Sequence, residues 1–194
     1  MKNAFFVSAS IACGKSSFIN FAKNKGFESL SADEIAHKLL NENAKKIAAL
    51  FADESLIKEG KIDRKKLGKH IFNSVLDKKK LEGFLHPLIK EEILKEAEIL
   101  EAKNKPFFIE LPLFFENDTY QGLGKSVLIY APKETSLQRL IKRDNLSEKE
   151  ALKRINSQLD IEEKKKKADF IIDNSKDLRH FEKECENFFE SLKS

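Results

Sequence analysis

The sequence near the amino terminus reads Ser8-Ala9-Ser10-Ile11-Ala12-Cys13-Gly14-Lys15-Ser16-Ser17. It follows an apolar stretch, residues 4–8, that predicts a first strand, and it opens a helical pattern over residues 15–24. A Gly-Lys-Ser tripeptide between a first strand and a first helix is typical of a phosphate-binding loop. In such a loop, backbone N–H groups at the helix start face the phosphates. Lys15 would neutralise phosphate charge, and the Ser16 hydroxyl would ligate Mg²⁺.

The loop departs from the full phosphate-loop pattern, because Ala9 occupies the position of its first glycine. An alanine in the left-handed conformation costs about 1–2 kcal/mol. Either the backbone at Ala9 and Ala12 needs no such torsion, or nucleotide affinity is reduced. The alternative to a phosphate site is a tight strand–helix turn that leaves Lys15 in solvent.

The rest of the chain alternates apolar strands with helical patterns. Besides residues 4–8, the predicted strands cover about 27–31, 107–111, 126–131 and 169–172. The predicted helices cover 15–24, 33–51, 64–76, 78–103, 134–143, 147–165 and 177–192. Residues 107–109 and 127–130 are continuously apolar, which predicts strands buried on both faces. The alternation indicates an α/β fold with a parallel five-stranded sheet covered by helices.

Two stretches stand out from this alternation. Roughly 75 residues, nearly all with helical patterns, separate the second and third strands, far more than a crossover connection needs. We expect residues 34–105 to form a helical insertion that carries substrate contacts. Residues 138–168 are charged, lack glycine and contain arginines, which predicts a lid. Both would belong to a single domain over residues 1–194.

Composition argues against a nucleic-acid-binding, a membrane-spanning and a disulfide-rich protein. The 194 residues are 41% apolar, and 36 basic against 32 acidic residues give a net charge of +4. This excess is too small to indicate a nucleic-acid-binding protein. Since no apolar run approaches the roughly 18 residues of a membrane span, no membrane partner is expected. Cys13 and Cys185 cannot form a disulfide framework or a four-cysteine zinc site, which favours a cytoplasmic protein.

Charged residues offer candidate phosphate ligands. The five arginines are Arg64, Arg139, Arg143, Arg154 and Arg179. Three of them lie between residues 139 and 154, where forked guanidinium groups could bind phosphate, although Arg139 and Arg143 could equally just share a helix face. The run at residues 164–167, four lysines, predicts a solvated helix end. Cys13 should contribute only its amide, with a redox switch as the alternative.

Besides the phosphate loop, the sequence predicts a functional carboxylate where the second strand ends. The sequence there reads Ser31-Ala32-Asp33-Glu34-Ile35-Ala36. Because the carboxyl ends of parallel strands face one crevice, Asp33 would lie across from Lys15. Its carboxylate could accept the proton of an attacking hydroxyl or help position Mg²⁺. The alternative is that Asp33 caps the following helix.

Taken together, these residues resemble the dephospho-coenzyme A kinase family along nearly the whole chain. The matching motifs are Gly14-Lys15-Ser16, Ser31-Ala32-Asp33-Glu34-Ile35-Ala36, Gly60-Lys61-Ile62-Asp63-Arg64, His86-Pro87, Leu111-Pro112-Leu113-Phe114-Phe115-Glu116, Gln138-Arg139-Leu140 with Arg143-Asp144, Arg154-Ile155 with Gln158, and Ala168-Asp169-Phe170-Ile171-Ile172-Asp173-Asn174. Their order and spacing are more specific than any one motif. The sequence departs from the family at Ala9, Ser10 and Ala12, where the family loop is rich in glycine, and at Glu110, where the family usually has aspartate.

The resemblance implies a three-layer P-loop kinase fold with a helical coenzyme-binding region and a lid. It implies ATP- and Mg²⁺-dependent phosphorylation of the ribose 3′-hydroxyl of dephospho-coenzyme A, the last step of coenzyme A synthesis. The implied catalytic residues are Lys15, Asp33, Arg139 and Arg143. ATP would contact Ala12, Cys13, Gly14, Lys15, Ser16, Ser17 and Asn174, and Ser16 would hold the metal. The coenzyme would contact Asp33, Arg64, His86 and Pro112.

Several alternatives stay open at this point. His86-Pro87 could simply be a turn at a helix start. Another small P-loop kinase, acting on a nucleoside monophosphate or shikimate, would share the loop. A nucleotide-binding regulator without catalysis would explain the lost glycines. The expected partners are ATP and dephospho-coenzyme A, with neither nucleic acid nor membrane, and the expected state is a monomer or a weak oligomer.

Overall fold

The computed structural model describes residues 1–116 and 118–193. A five-stranded sheet has the strand order β2-β5-β1-β6-β7, with β1 parallel to β5 and β6, and β6 parallel to β7. Its strands are β1 (Ala4–Ala9), β2 (Glu28–Ser31), β5 (Phe107–Glu110), β6 (Lys125–Tyr130) and β7 (Phe170–Asp173). Helices alternate with these strands along the chain, so the predicted α/β fold with five parallel strands is confirmed.

The helices follow the alternation that the sequence predicts, with several different ends. They are α1 (Lys15–Asn24), α2 (Ala32–Glu42), α3 (Ala44–Phe51), α4 (Arg64–Asn73), α5 (Val75–Glu101), α6 (Lys133–Asp144), α7 (Glu148–Ile155), α8 (Ile161–Lys167) and α9 (Leu178–Ser191). The helix predicted over 33–51 is two helices, because the chain turns at Asn43, whose side chain donates to the Leu39 carbonyl. The helix predicted over 147–165 is also two, since Asp160 caps a new helix.

The chain divides into two units, Met1–Leu30 with Ile99–Ser194, and Ser31–Glu98. The first unit has a phenylalanine-rich core around the central strands. All six residues of β1 are buried, as the pattern of the sheet requires. The Phe18 ring of α1 lies 5.2 Å from that of Phe108 on β5 and 5.3 Å from that of Phe189 on α9. These contacts fix α1, and hence the loop before it, against the sheet.

The second unit packs its helices around a separate apolar core. Its buried residues are Leu40, Ala44, Ile47, Leu56, Ile62, Leu67, Leu81 and Leu85. It also contains a hairpin, β3 (Ile57–Lys58) and β4 (Lys61–Ile62), that the sequence analysis missed. Glu59 and Gly60 join the two strands with φ values of 52° and 77°, as a type I′ turn demands. The strands are too short to produce a visible alternation of apolar and polar residues.

Two local interpretations from the sequence are wrong. His86-Pro87 is not a helix start, because Pro87 lies inside the continuous helix α5. Buried apolar residues lie on both sides of the proline, Leu81 and Leu85 before it and Ile93 and Ala97 after it, and their packing stabilises the long helix. Asp33 is not the cap of α2, since Ser31 fills that position and its Oγ accepts from the Glu34 N–H. Among the described residues, no helix is both long and apolar enough to cross a bilayer.

Candidate functional site

The loop between β1 and α1 forms one wall of a cavity of about 710 Å³. Strand order explains its place, because β5 and β6 flank β1 and all three carboxyl ends meet at this edge of the sheet. The cavity is lined by Ala9, Ser10, Ile11, Ala12, Cys13, Gly14, Lys15, Ser16, Ser17, Pro112, Arg139, Arg143, Gln158, Asn174, Leu178 and Phe181. Every site residue predicted within this unit is therefore at one cavity.

The first turn of α1 is open towards a ligand. Its N-cap is Gly14, and no side chain of the described residues caps the helix. The N–H groups of residues 15–17 consequently keep their donor capacity, and the helix dipole favours an anion in front of them. Pro112 borders the same space because the Ser8 hydroxyl, fully buried in β1, donates to its carbonyl at 3.0 Å.

Asn174 holds the loop from the side of β7. Its Nδ2 donates to the Cys13 carbonyl at 2.8 Å, and its backbone N–H donates to the Tyr130 carbonyl at 2.7 Å. Gly14 has a φ of 102°, and a Cβ at this position would lie 2.3 Å from Asn174 Nδ2. The glycine of the Gly-Lys-Ser motif is thus required by both torsion and space.

Of the two alanines at glycine positions of the loop, only Ala12 has a left-handed backbone conformation. Its φ is 62°, so the loop does need a left-handed torsion at this position, at a cost of about 1–2 kcal/mol. Ala9 is the last residue of β1 and needs none. Two side chains hold the backbone around Ala12: Gln158 Oε1 accepts from the Ile11 N–H at 2.8 Å, and Asn174 binds the Cys13 carbonyl. Such external restraints are what allow a strained torsion to persist.

Lys15 is paired rather than solvated. Its Nζ lies 2.5 Å from Glu110 Oε2, and the two side chains are 18% and 15% exposed. The parallel register of β1 and β5 sets Glu110 opposite Val7 at the end of β5. The interpretation of a plain turn with a solvated Lys15 is therefore wrong. Through this pair Glu110 becomes a further candidate site residue. It is absent from the predicted set, although the rule applied to Asp33, an acid at the carboxyl end of a parallel strand, would have found it.

The oxygen donors of this site fit a magnesium ion. Mg²⁺ at phosphate sites takes one or two protein oxygens and completes its shell with phosphates and water. Ser16 carries a hydroxyl at the start of α1, and Glu110 carries a carboxylate beside Lys15. Among the described residues there is no cluster of three or more His, Cys, Asp or Glu side chains that could hold a metal alone. A metal in this cavity would thus need the phosphates of the nucleotide.

The two predicted lid arginines share helix α6 and the cavity wall, but both have partners. Arg139 donates to the backbone carbonyls of Asn174 and Lys176, at 3.0 and 3.2 Å. Arg143 binds both oxygens of Asp144, at 2.7 and 3.2 Å. The hydrogen bond from Arg143 is the main cause that lowers the pKa of Asp144. In this conformation Arg139 supports the loop after β7, and Arg143 uses its Nε and Nη2 for Asp144.

The Cys13 thiol is unsuited to a redox switch. It is buried, and its Sγ lies 3.2 Å from Ser136 Oγ. Burial is the main cause that raises the pKa of this thiol. Because the thiolate is the reactive species, a buried thiol with a raised pKa reacts slowly. The Cys13 N–H donates to the Ser10 carbonyl at 3.2 Å, and its use by a phosphate stays a prediction.

The prediction that the lysines of residues 164–167 are solvated is wrong for one of the four. The Lys164 side chain is fully buried, and its Nζ lies 2.7 Å from Glu116 Oε1. Ile161 and Lys164, three residues apart, form the buried face of α8. Lys166 and Lys167 are exposed, as predicted. Four identical residues carry no periodic signal, so the sequence could not show which one points inward.

The remaining predicted site residues belong to the second unit. Asp33 is the second residue of α2, Arg64 the first residue of α4, and His86 lies within α5. All three are exposed. No hydrogen bond or ion pair of their side chains to other described residues is found, so each is available to a ligand. Their roles towards substrate stay predictions.

Comparison with known proteins identifies relatives along the whole chain. A family model described as dephospho-CoA kinase matches residues 6–180. A dephospho-CoA kinase of Campylobacter jejuni serotype O:2 is 55% identical over 189 residues, which cover 95% of this chain and 94% of that protein. One from Helicobacter pylori strain 26695 is 42% identical over 194 residues, covering 99% and 98%.

Solved structures agree with the sequence matches. The dephospho-CoA kinase from Campylobacter jejuni superposes with a TM-score of 0.82 at 52% identity, covering 99% of this chain and 98% of that one. A shikimate kinase from Bacteroides thetaiotaomicron reaches a TM-score of 0.52 at 16% identity, which shows a shared fold alone. The family match includes the phosphate loop, Glu110, both cavity arginines and Asn174. On this evidence the chain belongs to the dephospho-CoA kinase family.

Proposed function

We propose that this protein transfers the γ-phosphoryl group of ATP to the ribose 3′-hydroxyl of dephospho-coenzyme A. The observation that carries the proposal is the cavity at the edge of the sheet, where the phosphate loop carries a lysine that is only 18% exposed and pairs with the Glu110 carboxylate, in a chain of this family. Phosphoryl transfer depends mainly on positioning and on charge stabilisation, and this cavity provides groups for both.

Lys15 and the loop amides hold the ATP phosphates. The Lys15 ammonium exchanges the Glu110 carboxylate for phosphate oxygens when the nucleotide enters. Ser16 and Glu110 are the residues that would hold Mg²⁺, whose charge neutralises the β- and γ-phosphates. The backbone of residues 12–17 and Asn174 defines the phosphate side of the ATP site.

Asp33 orients the 3′-hydroxyl of the acceptor and accepts its proton. Its exposed position at the start of α2 leaves the carboxylate unpaired by the described residues and so able to act on a substrate. Arg64, His86 and Pro112 contact the coenzyme. Arg139 and Arg143 stabilise the charge that develops on the transferred group, and the hydrogen bonds to Asp144 occupy only two of the five N–H donors of Arg143.

The protein acts in the cytoplasm on small molecules. A net charge of +4 in 194 residues is too small to support a nucleic-acid partner. A monomer or weak oligomer is the proposed state. Sedimentation at two protein concentrations tests this, and a stable oligomer at low concentration would contradict it.

A coupled ATP assay with dephospho-coenzyme A as acceptor tests the proposed reaction. Turnover should exceed that with AMP, GMP or shikimate, and phosphorus NMR should place the new phosphate on the 3′ oxygen. Lys15→Met should lower kcat by several orders of magnitude, whereas Lys23→Met, an exposed lysine of the same helix, should not. ATP binding without transfer to any acceptor would instead support a regulator, and faster turnover of another acceptor would reject the assigned substrate.

If Asp33 is the base, Asp33→Asn should abolish most turnover while leaving ATP affinity intact. Near-normal turnover of that variant would contradict the assignment. Glu34→Gln is the matched control, because Glu34 is the next residue of the same helix and is also exposed.

A further inference from the structure

An ion pair between a buried lysine and a half-buried glutamate lies outside the nucleotide cavity, and hydrogen bonds connect it to the phosphate loop. Lys164 of α8 has a fully buried side chain, and its Nζ lies 2.7 Å from Glu116 Oε1. Neither side chain lines the cavity. Lys164 takes a position on the inner face of its helix, next to Ile161, that an apolar residue would ordinarily fill.

The Glu116 carboxylate reaches the phosphate loop through two hydrogen bonds. Glu116 Oε1, which forms the ion pair with the lysine, accepts a hydrogen bond from the Leu159 N–H at 3.3 Å. The preceding residue, Gln158, accepts from the Ile11 N–H with its side-chain oxygen at 2.8 Å. The turn between α7 and α8 is thus bound to Glu116 through Leu159, and it binds the phosphate loop through Gln158.

The pair is a poor source of stability. Glu116 Oε2 and Lys164 Nζ are buried polar atoms that make no well-directed hydrogen bond to the described residues. Replacing a buried ion pair by apolar residues of similar size is often neutral or stabilising. What the pair supplies instead is a fixed geometry for the carboxylate, and hence for the turn that carries Gln158.

The loop has a specific need for such a restraint. Ala12 is held at a φ of 62°, where an alanine relaxes unless its neighbours are fixed. The Ile11 N–H on one side is bound by Gln158, and the Cys13 carbonyl on the other by Asn174. We propose that Lys164 is a positioning residue for ATP binding, which acts through Glu116 and Gln158 to hold the phosphate loop in its strained conformation.

This inference rests on the proposed function in one respect, namely that the loop binds the phosphates of ATP. The test compares Lys164→Met with Lys167→Met, which removes the same charge from an exposed site of the same helix. Binding of magnesium and the non-hydrolysable analogue AMP-PNP is measured by calorimetry, and KM is measured for both substrates. Lys164→Met should weaken AMP-PNP binding and raise the KM for ATP about tenfold or more, as for other supporting residues around a site. The KM for dephospho-coenzyme A should change less than twofold, and Lys167→Met should match the unmodified protein.

A double variant separates positioning from mere stability. Lys164→Met with Glu116→Leu leaves no unpaired buried charge, so its unfolding midpoint should recover relative to Lys164→Met. Its AMP-PNP affinity should stay low, because the link to the Leu159 N–H is still absent. If affinity recovers together with stability, the positioning role is refuted.

Gln158→Leu covers the case in which removal of the buried lysine prevents folding. Gln158 is only partly buried, and its loss leaves the ion pair intact. AMP-PNP affinity should again fall about tenfold. Unchanged affinity in Gln158→Leu, or in a folded Lys164→Met, overturns the inference. Binding of AMP-PNP needs no acceptor, so a protein that fails to phosphorylate dephospho-coenzyme A refutes the proposed function without affecting this comparison.

Discussion

The side chain of Asn174 occupies the space that a Cβ on Gly14 would need, 2.3 Å from its Nδ2. The same nitrogen donates to the Cys13 carbonyl one residue before. The glycine and the asparagine are therefore a matched pair, although 160 residues of sequence separate a position at α1 from one after β7. Their fit determines how the phosphate loop lies against the sheet.

Gly14→Ala should impair both folding and ATP binding. The new methyl group meets Asn174, and the φ of 102° strains any residue with a Cβ, so we expect a loss of about 1–3 kcal/mol in the free energy of unfolding. Denaturant unfolding and ATP affinity measure the two effects. The double variant with Asn174→Ala relieves the contact and retains the torsional strain, so it should recover part of the stability and none of the affinity. Full recovery would show that torsion plays no part.

Ala12→Gly should tighten ATP binding. Glycine adopts the φ of 62° freely, which relieves about 1–2 kcal/mol of strain in the loop. The KM for ATP should fall, while kcat should change little. Ala9→Gly is the matched control: Ala9 ends β1 and is not at positive φ, so its replacement should only destabilise the protein, by about 0.5–1 kcal/mol. An equal effect of both substitutions would contradict the structural difference between the two positions.

Glu110→Gln should lower kcat by at least about 100-fold, since it removes the charge proposed to face the metal and Lys15. Glu110→Asp restores the residue usual in the family and keeps the charge, so it should retain most of the activity. The measurement is kcat over a range of Mg²⁺ concentrations. Near-normal kcat in Glu110→Gln would contradict a role for the charge, and loss of activity in both variants would mean that the site requires the length of this side chain as well as its charge.

Alkaline pH should destabilise the protein through its buried thiols. Burial is the main cause that raises the pKa of Cys185 to about 12 from 9.0. Between these values the unfolded chain releases the thiol proton and the folded protein retains it, so the free energy of unfolding falls as pH rises. The pKa of Cys13 is raised as well and acts in the same direction.

Guanidinium unfolding at neutral pH and near pH 10 measures this effect. Cys185→Ala should reduce the loss of stability between the two conditions, because the group that titrates differently is gone. If the variant loses as much stability as the unmodified protein, other groups dominate the alkaline transition.

The elements that could be predicted are those with a strong local signal. Continuous apolar residues revealed the buried strands β5 and β6, and Gly-Lys-Ser at a strand–helix turn revealed the cavity. The Glu59-Gly60 hairpin was missed because its strands have only two residues each. The pairing of Lys15 with Glu110 depends on which strand lies beside β1, and strand order is a property of the whole sheet.

Other features depend on tertiary packing that no local pattern encodes. Lys164 is one of four identical neighbours, and only the docking of α8 selects it for burial. The sequence shows that Ala12 replaces a glycine of the loop, but its backbone torsion follows from the folded loop and its restraints. The partners of Arg139 are backbone carbonyls, which have no sequence signature.

The position of Asn174 also bears on the chemical ageing of this protein. It precedes Ser175, and an asparagine before a small residue loses its amide nitrogen when the next backbone nitrogen attacks the side chain. Here the Ser175 N–H is bound to Asp173 Oδ1 at 3.0 Å, and Asn174 itself is buried, so the attacking geometry is hard to reach. Deamidation would place a carboxylate against the Cys13 carbonyl and turn attraction into repulsion. The folded state thus protects from slow hydrolytic damage one of the two side-chain amides that hold its nucleotide loop.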